Sequence, residues 1–365
     1  MGKEKFDKKE WMEKSMQMKG QMHDMIFQMA ETYITNPEAI AEYMAFSSKF
    51  YRYSVKNTML IYSQNRGASF VQSFLDWKSM GVKIRKGQKG MKIFVPVQKT
   101  FLKKGSEIVP LSEASKEWKK AYKENTIEVL KRTVFKVGNV FDISQTDFPK
   151  ERYPELVTMG YPEVYHARLF DAVSEFAATA LSCPVRVEDM ASVTLRGYYV
   201  PSKNEIAINH LLEDTHRLST LAHETGHAMI HRDAGEKSLA QIEFEGDCVG
   251  IMMESRFGIM PVDKRKEHLA QHFGTLKEEI ISTLGEDALI KELDKIFSDV
   301  YSIYNGYTEA LDACVQRHVP AEELNMKKES FLERMMKEAS IKNPDAALSH
   351  SHPDHGMDMD DGLSI

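Results

Sequence analysis

The segment LAHETGHAMIH, residues 221–231, combines two histidines and a glutamate at a spacing that suits one metal ion. On a helix, residues four apart lie on the same face, so His223 and His227 can direct imidazole nitrogens at a single cation. Glu224 lies beside the first histidine, where its carboxylate can reach a metal-bound water. This is the H-E-x-x-H arrangement of zinc peptidases. The spacing predicts Zn²⁺ bound by His223 and His227, with Glu224 as the catalytic base.

Gly226 interrupts this segment, although a glycine inside a helix costs about 1 kcal/mol relative to alanine. A residue that disfavours the local secondary structure, without an evident structural gain, commonly marks a functional site. We interpret Gly226, together with Gly246 in the following helix, as allowing two helices to approach closely enough for one ion to bridge them.

A catalytic zinc ion needs a third protein ligand and keeps one position open for water. Sixteen residues after His227, the run IEFEGDCVG offers Glu243, Glu245 and Asp247. Glu243 and Asp247 are four apart and share a helical face, whereas Glu245 points elsewhere. We predict Glu243 as the third ligand and Asp247 as the acceptor that orients one histidine. Glu245 is the alternative ligand.

In such a centre, zinc lowers the pKa of its bound water to about 7 and Glu224 takes the proton. The oxyanion needs a further donor, for which His231, Tyr198 and Tyr199 are candidates that the sequence does not separate. His231 has the alternative role of a cation at a helix C-terminus. The alternatives to a catalytic centre are a closed structural zinc site and a metal-free helix pair with buried His–Glu hydrogen bonds.

Helices and a small sheet must position these side chains. Helical periodicity covers residues 166–183, the HETGH segment, the run QIEFEGDCVGIMMESRF and residues 262–340. Between the first two, SVTLRGYYVPSKNEIAIN predicts a β-hairpin with its turn at Pro201–Asn204. We therefore predict an α+β protein whose second half is mostly helical with a small β-sheet.

The first 150 residues differ from the rest in charge. They carry 27 Lys and Arg against 16 Asp and Glu, net +11, whereas residues 151–365 carry 21 against 38, net −17. A boundary near FPKERYP, residues 148–154, would separate a basic from an acidic part. Such asymmetry indicates that the first part binds a polyanion; the alternative is chance segregation of solvated charge.

The basic part has the pattern of a small α+β module. Residues 8–33 and 39–64 have helical spacing, and β-branched runs at Val82–Ile84 and Ile93–Val97 predict a pair of strands. Residues 105–132 resemble a charged insertion with one helix.

Nine basic residues and no acidic one occur from residue 77 to residue 104. The glycines of IRKGQKG allow phosphates to approach the backbone, and neighbouring aromatic side chains can stack bases, as single-strand binding requires. We predict single-stranded DNA as the partner; double-stranded DNA or RNA stays open, and the alternative is a solvated strand face. The predicted contacts are Lys78, Lys83, Arg85, Lys86, Lys89, Lys92 and Trp77. The other candidate aromatic residues are Tyr51, Tyr53, Tyr62, Phe70, Phe74 and Phe94.

The sequence contains no sign of a membrane segment or a secretory signal. No stretch approaches the roughly 18 apolar residues of a membrane helix, and the charged start MGKEKFDKKEWMEK is followed by no short apolar core. The three cysteines are far apart, which suits a reducing compartment. We expect a cytoplasmic protein without a membrane partner.

Three segments resemble the N-terminal single-stranded-DNA-binding domain of ArdC-type antirestriction proteins, especially the LtrC-like ones, of plasmids and conjugative elements. They are FYRYSVKNTMLIYSQN, SFLDWKSMGVKIRKGQKGMKIFVPV and VFDISQT. That family joins this domain to a C-terminal zincin similar to the ImmA/IrrE metallopeptidases, in the order found here. The run E-F-E-G-D is similar to the E-x-x-A-D pattern of other zincins, which supports Glu243, although Gly246 replaces the usual alanine. The resemblance covers about residues 35–150 and 165–258.

The resemblance implies antirestriction, or protection of single-stranded DNA during transfer of a mobile element, together with zinc-dependent cleavage of a protein or peptide. It adds Asn57 to the predicted DNA contacts. The family signature here comprises Asn57, Gln64, Trp77, Arg85, Lys86, Gly87, Gly90 and Gln145.

We predict three parts of the chain. Residues 1–150 form the single-stranded-DNA-binding domain, residues 151–340 a zincin metallopeptidase-like domain with a C-terminal helical extension, and residues 341–365 a flexible acidic tail. Two other functions stay open. One is a non-enzymatic DNA-binding protein whose zinc domain is structural, and the other is a regulatory protease that cleaves a repressor.

Overall fold

The computed structural model describes residues 8–157, 160–190, 192, 194–232, 235 and 237–320, without the side chains of residues 8–12 and 154–155. The predicted tail, residues 341–365, lies outside the described residues. The helices are α1 Lys8–Thr35, α2 Glu38–Ser47, α3 Val55–Gln64, α4 Phe74–Ser79, α5 Lys116–Lys123, α6 His166–Ala180, α7 Asp214–Arg232, α8 Leu239–Arg256, α9 Asp263–Leu284 and α10 Leu289–His318. The strands are β1 Val71–Ser73, β2 Met91–Lys104, β3 Glu107–Pro110, β4 Glu128–Asp142, β5 Val185–Glu188, β6 Gly197–Val200 and β7 Glu205–Asn209.

A four-stranded antiparallel sheet occupies the first half, in the order β1-β4-β2-β3. Its centre is a long ribbon in which β2 pairs with β4 from Met91↔Val140 to Lys103↔Glu128. The insertion at residues 105–132 supplies β3 and α5, and α5 is the one helix that the sequence predicts there.

The predicted strand at Val82–Ile84 is wrong. In this segment Ile84 forms only an isolated bridge with Thr146. Gly81 and Gly87 have φ values of +72° and +87°, in the region that glycine adopts readily. They turn the chain on both sides of the short β-branched run, so it forms a loop rather than a ladder.

A three-stranded sheet in the second half has the order β5-β7-β6, with β5 parallel and β6 antiparallel to β7. It confirms the predicted hairpin. Asn204 ends the turn with φ +50°, and its side-chain amide donates to the carbonyl oxygens of Leu181 and Ser182 at 3.0 and 2.9 Å. The turn is therefore fixed to the end of α6.

One hydrophobic core contains buried residues from both halves of the chain. The Phe297 ring of α10 lies 5.7 Å from Tyr33 of α1 and 5.9 Å from Tyr43 of α2. On its other side it lies 6.4 Å from Phe244 of α8. Helices α1 and α2 thus pack on the same apolar layer as the helix that carries the predicted third metal ligand.

The architecture is α+β, as the sequence predicts, with a mostly helical second half. Within the described ranges, every helix is too short or too polar to cross a membrane.

Candidate metal centre and nucleic-acid surface

Helices α7 and α8 approach each other through glycines. A Cβ atom on Gly226 would lie 2.7 Å from the Gly250 nitrogen and 2.8 Å from the Gly246 carbonyl oxygen. A Cβ on Gly246 would meet the His227 ring, and one on Gly250 would lie 3.1 Å from the His223 Cα. Glycine at these positions lets the histidine-bearing turn of α7 rest directly on the backbone of α8.

This contact brings the predicted metal-binding residues together. The rings of His223 and His227 are 4.7 Å apart. His223 Nδ1 lies 3.4 Å from Asp247 Oδ1, and His227 Nδ1 lies 3.9 Å from Glu243 Oε2. Potential ligand atoms of His223, His227 and Asp247 lie within 4.8 Å of one another, as do those of His227, His231 and Glu243. A cation between α7 and α8 has two imidazoles and a carboxylate in reach.

Both histidines favour the neutral form that binds metals. Burial lowers the pKa of His223 well below its ordinary value, and the Arg265 guanidinium, with Nη1 3.1 Å from Nδ1, lowers it further. Burial also lowers the pKa of His227. Two neutral imidazoles flanked by carboxylates fit a divalent cation that accepts nitrogen and oxygen ligands.

Glu224 lies in the same cleft, whose volume is about 410 Å³. Burial raises the pKa of Glu224 to about 7, and a hydrogen bond from the Tyr199 backbone partly opposes this shift. The strand β6, which carries Tyr199, borders the cleft and is an edge strand of its sheet. A carboxylate with a pKa near neutrality can accept and return a proton.

The alternative ligand Glu245 points away from the cleft. Its fully buried carboxylate accepts from Lys237 Nζ at 2.6 Å and from Gln241 Nε2 at 2.7 Å. Among the described residues, the metal-ligand clusters do not include it. Glu243, in contrast, lines the cleft.

Of the three candidate oxyanion donors, the two tyrosine hydroxyls are already engaged. Tyr198 Oη donates to Glu188 at 2.7 Å, and Tyr199 Oη donates to Asn204 at 3.1 Å. The His231 ring packs on Tyr199 with ring centres 5.3 Å apart. Burial lowers the pKa of His231, which weakens the alternative role of a cationic cap on α7.

The basic residues predicted to contact DNA lie on α4, on β2 and on the loop between them. Lys78, Lys83, Arg85, Lys86 and Lys89 are exposed, and Lys92 is half-buried. The loop is held in place because its backbone bonds to the segment after β4, with Arg85 N donating to Gln145 O at 2.9 Å and Lys83 N to Asp147 Oδ1 at 2.8 Å. The Arg85 guanidinium also donates to the Ser144 carbonyl oxygen.

Two predicted DNA contacts are wrong because their side chains are buried. Trp77 is 0% exposed and its Nε1 donates to the Phe141 carbonyl oxygen at 2.8 Å. Asn57 is 9% exposed and its amide bonds to the Phe94 backbone twice, at 2.8 Å each. Among the candidate aromatic residues, Phe74 is the exposed one, at 54%.

Both halves of the chain match known family models. Residues 17–141 match the N-terminal domain of the anti-restriction factor ArdC, and residues 178–281 match the IrrE N-terminal-like domain of a peptidase family. The chain joins an ArdC-type domain to an IrrE-like domain.

Individual relatives are more distant. The uncharacterized protein pXO2-81 of Bacillus anthracis is 26% identical over 302 residues, which are 77% of this chain and 49% of the relative. The chain thus spans about half the length of this curated relative. The metal-free crystal structure of the antirestriction ArdC protein from plasmid R388 has 17% sequence identity to this chain and a TM-score of 0.42. The match covers 76% of this chain and 87% of the R388 protein. The Mn(II)-bound structure of the same protein has 14% sequence identity to this chain and a TM-score of 0.39. The match covers 72% of this chain and 84% of the R388 protein.

Several signature residues of the ArdC-type domain serve as connections within it. Like Asn57, Gln64 binds the backbone of β2 through its side-chain amide. The amide nitrogen donates to the Lys92 carbonyl oxygen at 2.9 Å, and the amide oxygen accepts from the Lys92 backbone N–H at 2.8 Å. Gln145 donates to Lys89 O at 2.8 Å and so ties the basic loop to the end of β4. These amides hold the backbone that carries the cationic surface.

In the IrrE-like domain, sequence reasoning missed His268 and His272 of α9, which also line the cleft. The two histidines are four residues apart on a helix, a spacing that resembles that of His223 and His227. This spacing is the sequence signal by which the pair could have been predicted as metal ligands. Nothing in the sequence placed α9 beside α8.

Proposed function

We propose that the IrrE-like domain is a zinc-dependent peptidase. The observation that carries the proposal is that His223, His227 and Glu243 line one cleft together with Glu224, beside an edge strand. Zn²⁺ would be held by His223, His227 and Glu243, and when bound it activates a water and polarises a carbonyl.

The chain's own residues have separate roles in this proposal. Glu224 accepts a proton from the attacking water and returns it to the departing amine. Asp247, whose Oδ1 lies 3.4 Å from His223 Nδ1, is the carboxylate that would orient this histidine. The outer edge of β6 can pair with an extended peptide by adding a strand, which would hold the peptide beside Glu224.

The test is Glu224→Gln in the full chain. The substitution retains the size of the side chain but removes the base, so we expect the zinc content to stay equal to that of the wild-type chain while cleavage of a generic protein substrate such as casein falls at least 100-fold. Metal content and peptide release are measured on the same samples. Glu213→Gln, on an exposed residue before α7, is the control and should leave both unchanged. Undiminished cleavage by the Glu224→Gln protein would remove Glu224 from the mechanism.

We further propose that the ArdC-type domain binds single-stranded DNA and that the protein acts in the cytoplasm, in antirestriction or in protection of DNA during transfer of a mobile element. The supporting observation is the fixed, exposed basic loop at residues 81–90. Within the part of the chain that the structure describes, the Lys83, Lys86 and Lys89 ammonium groups form no ion pair. Exposed Phe74 offers a ring on which a base can stack.

The DNA test changes Lys83, Lys86 and Lys89 together to Glu and keeps Arg85, which holds the loop. Fewer phosphate contacts mean weaker binding and a flatter dependence on salt, so we expect at least a tenfold loss of oligonucleotide affinity. Fluorescence anisotropy at several salt concentrations measures both. The matched control reverses three exposed lysines of the other half, Lys264, Lys291 and Lys295. Equal affinity of the two variants would contradict the loop as the binding surface.

A further inference from the structure

A second group of potential metal ligands consists of Asp247 and two histidines of α9. Helix α9 places His268 Nδ1 3.0 Å from Asp247 Oδ2 and His272 Nδ1 2.9 Å from the same oxygen. The two imidazole rings are 4.3 Å apart. Potential ligand atoms of Asp247, His268 and His272 all lie within 4.8 Å of one another.

The Asp247 carboxylate has different neighbours at its two oxygens. Oδ1 lies 3.4 Å from His223 Nδ1 and 3.3 Å from His268 Nδ1, whereas Oδ2 lies within 3.0 Å of both histidines of α9. The side chain is 0% exposed. The carboxylate is therefore enclosed, with imidazole nitrogens close to both of its oxygens.

The geometry around His272 suits coordination better than a hydrogen bond. Its Nδ1 atom is buried and, despite the 2.9 Å separation from Asp247, has no partner with hydrogen-bond geometry. Two ligands at right angles around a cation, each bound at about 2.1 Å, lie about 3.0 Å apart. Asp247 Oδ2 has this separation from both histidine nitrogens.

We propose that Asp247, His268 and His272 form a second divalent-cation site beside the first one. Its imidazole-rich donor set selects a transition-metal ion such as Zn²⁺, Co²⁺ or Ni²⁺ over Mg²⁺ or Ca²⁺. Asp247 then has two functions, orienting His223 through one oxygen and binding the second ion through the other. The site borders the same cleft as the proposed catalytic centre and shares Asp247 with it, but its existence does not depend on peptide cleavage.

Metal stoichiometry tests the proposal. The full chain, stripped with a chelator and titrated with Co²⁺, is expected to bind two equivalents, and the double variant His268→Gln/His272→Gln is expected to bind one. The double variant His223→Gln/His227→Gln should retain the other equivalent. Because the proposed sites differ in geometry, the two remaining ions should also differ in visible absorption.

Two controls separate the site from adventitious binding. His216→Gln removes an exposed histidine of α7 and should leave two equivalents. Replacement of His350, His352 and His355, outside the described residues, by Gln should do the same. His268 and His272 are 45% and 24% exposed, so their exchange is compatible with folding, which far-ultraviolet circular dichroism checks.

Each outcome decides the proposal. A single equivalent in the wild-type chain, or two equivalents retained by the His268→Gln/His272→Gln variant, would overturn it. The proposal would be supported if the His223→Gln/His227→Gln variant retained one equivalent and lost it when His268 and His272 were also replaced by Gln. That support would stand even if Glu224→Gln showed that no peptide is cleaved, so the failures of the two proposals are distinguishable.

Discussion

Glu243 and Glu245 stand two residues apart on α8 and have different environments. The Glu243 side chain is 37% exposed at the cleft beside His227. Glu245 is fully buried against Lys237 and Gln241 on another side of the helix. The pair therefore offers a matched test at the scale of single residues, because the same chemical change is made two positions apart.

Glu243→Gln should weaken zinc affinity at least tenfold with little change in stability, because a ligand is lost from a partly exposed position. Glu245→Gln should leave zinc affinity unchanged and lower the free energy of unfolding by about 1–3 kcal/mol, because Lys237 loses its buried ionic partner. Chelator competition and urea unfolding measure the two quantities. Loss of zinc affinity in the Glu245→Gln protein would make Glu245 the ligand instead.

Residue roles could be predicted from the sequence where one helix carries the whole pattern. The face shared by His223 and His227, and that shared by Glu243 and Asp247, follow from helical periodicity alone. The burial of Trp77 and Asn57 did not follow, since an aromatic or amide side chain beside a basic run is equally compatible with a binding surface. Their hydrogen bonds to Phe141 and Phe94 join segments 64 and 37 residues apart.

At the scale of elements, the closeness of α7 and α8 depends on small residues. In Gly226→Ala, the new methyl group would meet the Gly250 nitrogen at 2.7 Å and force the helices apart. We expect a loss of about 1–3 kcal/mol in the free energy of unfolding, as for other overpacked interiors, together with weaker zinc binding. Urea unfolding and chelator competition provide the measurements.

Gly274→Ala in α9 is the matched control, because a Cβ atom there has nothing within 4 Å. Removing a glycine from an open helical position should stabilise the protein by about 1 kcal/mol. If Gly226→Ala proved as harmless as Gly274→Ala, the two helices would not need glycine in order to meet.

The elements also show where prediction from the sequence stops. Helices with clear periodicity and the β6–β7 hairpin were predicted, because their signals are local. The error at Val82–Ile84 arose because β-branched residues favour strands. The positive φ values of Gly81 and Gly87 turn the chain on both sides of this run, so it forms a loop instead. The position of α9 against Asp247 is a tertiary contact, so His268 and His272 remained unnoticed.

At the scale of the whole molecule, the two matched regions share a core. The Tyr301 hydroxyl of α10 lies 3.0 Å from both the Ser47 carbonyl oxygen and Thr58 Oγ1, so α10 is bonded to α2 and α3. Phe297 packs on Tyr33 and Tyr43 from the same helix. The boundary in charge near residue 150 remains a prediction about domains, but the apolar core is continuous across it.

A shared core predicts a single unfolding transition. All three tryptophans lie in the first 150 residues, so their fluorescence reports the ArdC-type domain, whereas visible absorption of Co²⁺ reports the metal centre. In the Co²⁺-loaded chain, both signals should change at the same urea concentration, as two-state unfolding requires. Removal of the metal should move the tryptophan transition to lower urea, since a ligand at 100 times its Kd stabilises the native state by about 2.7 kcal/mol. If the urea midpoint of the tryptophan transition were the same with and without metal, the two regions would unfold separately, despite the contacts of Tyr301 and Phe297.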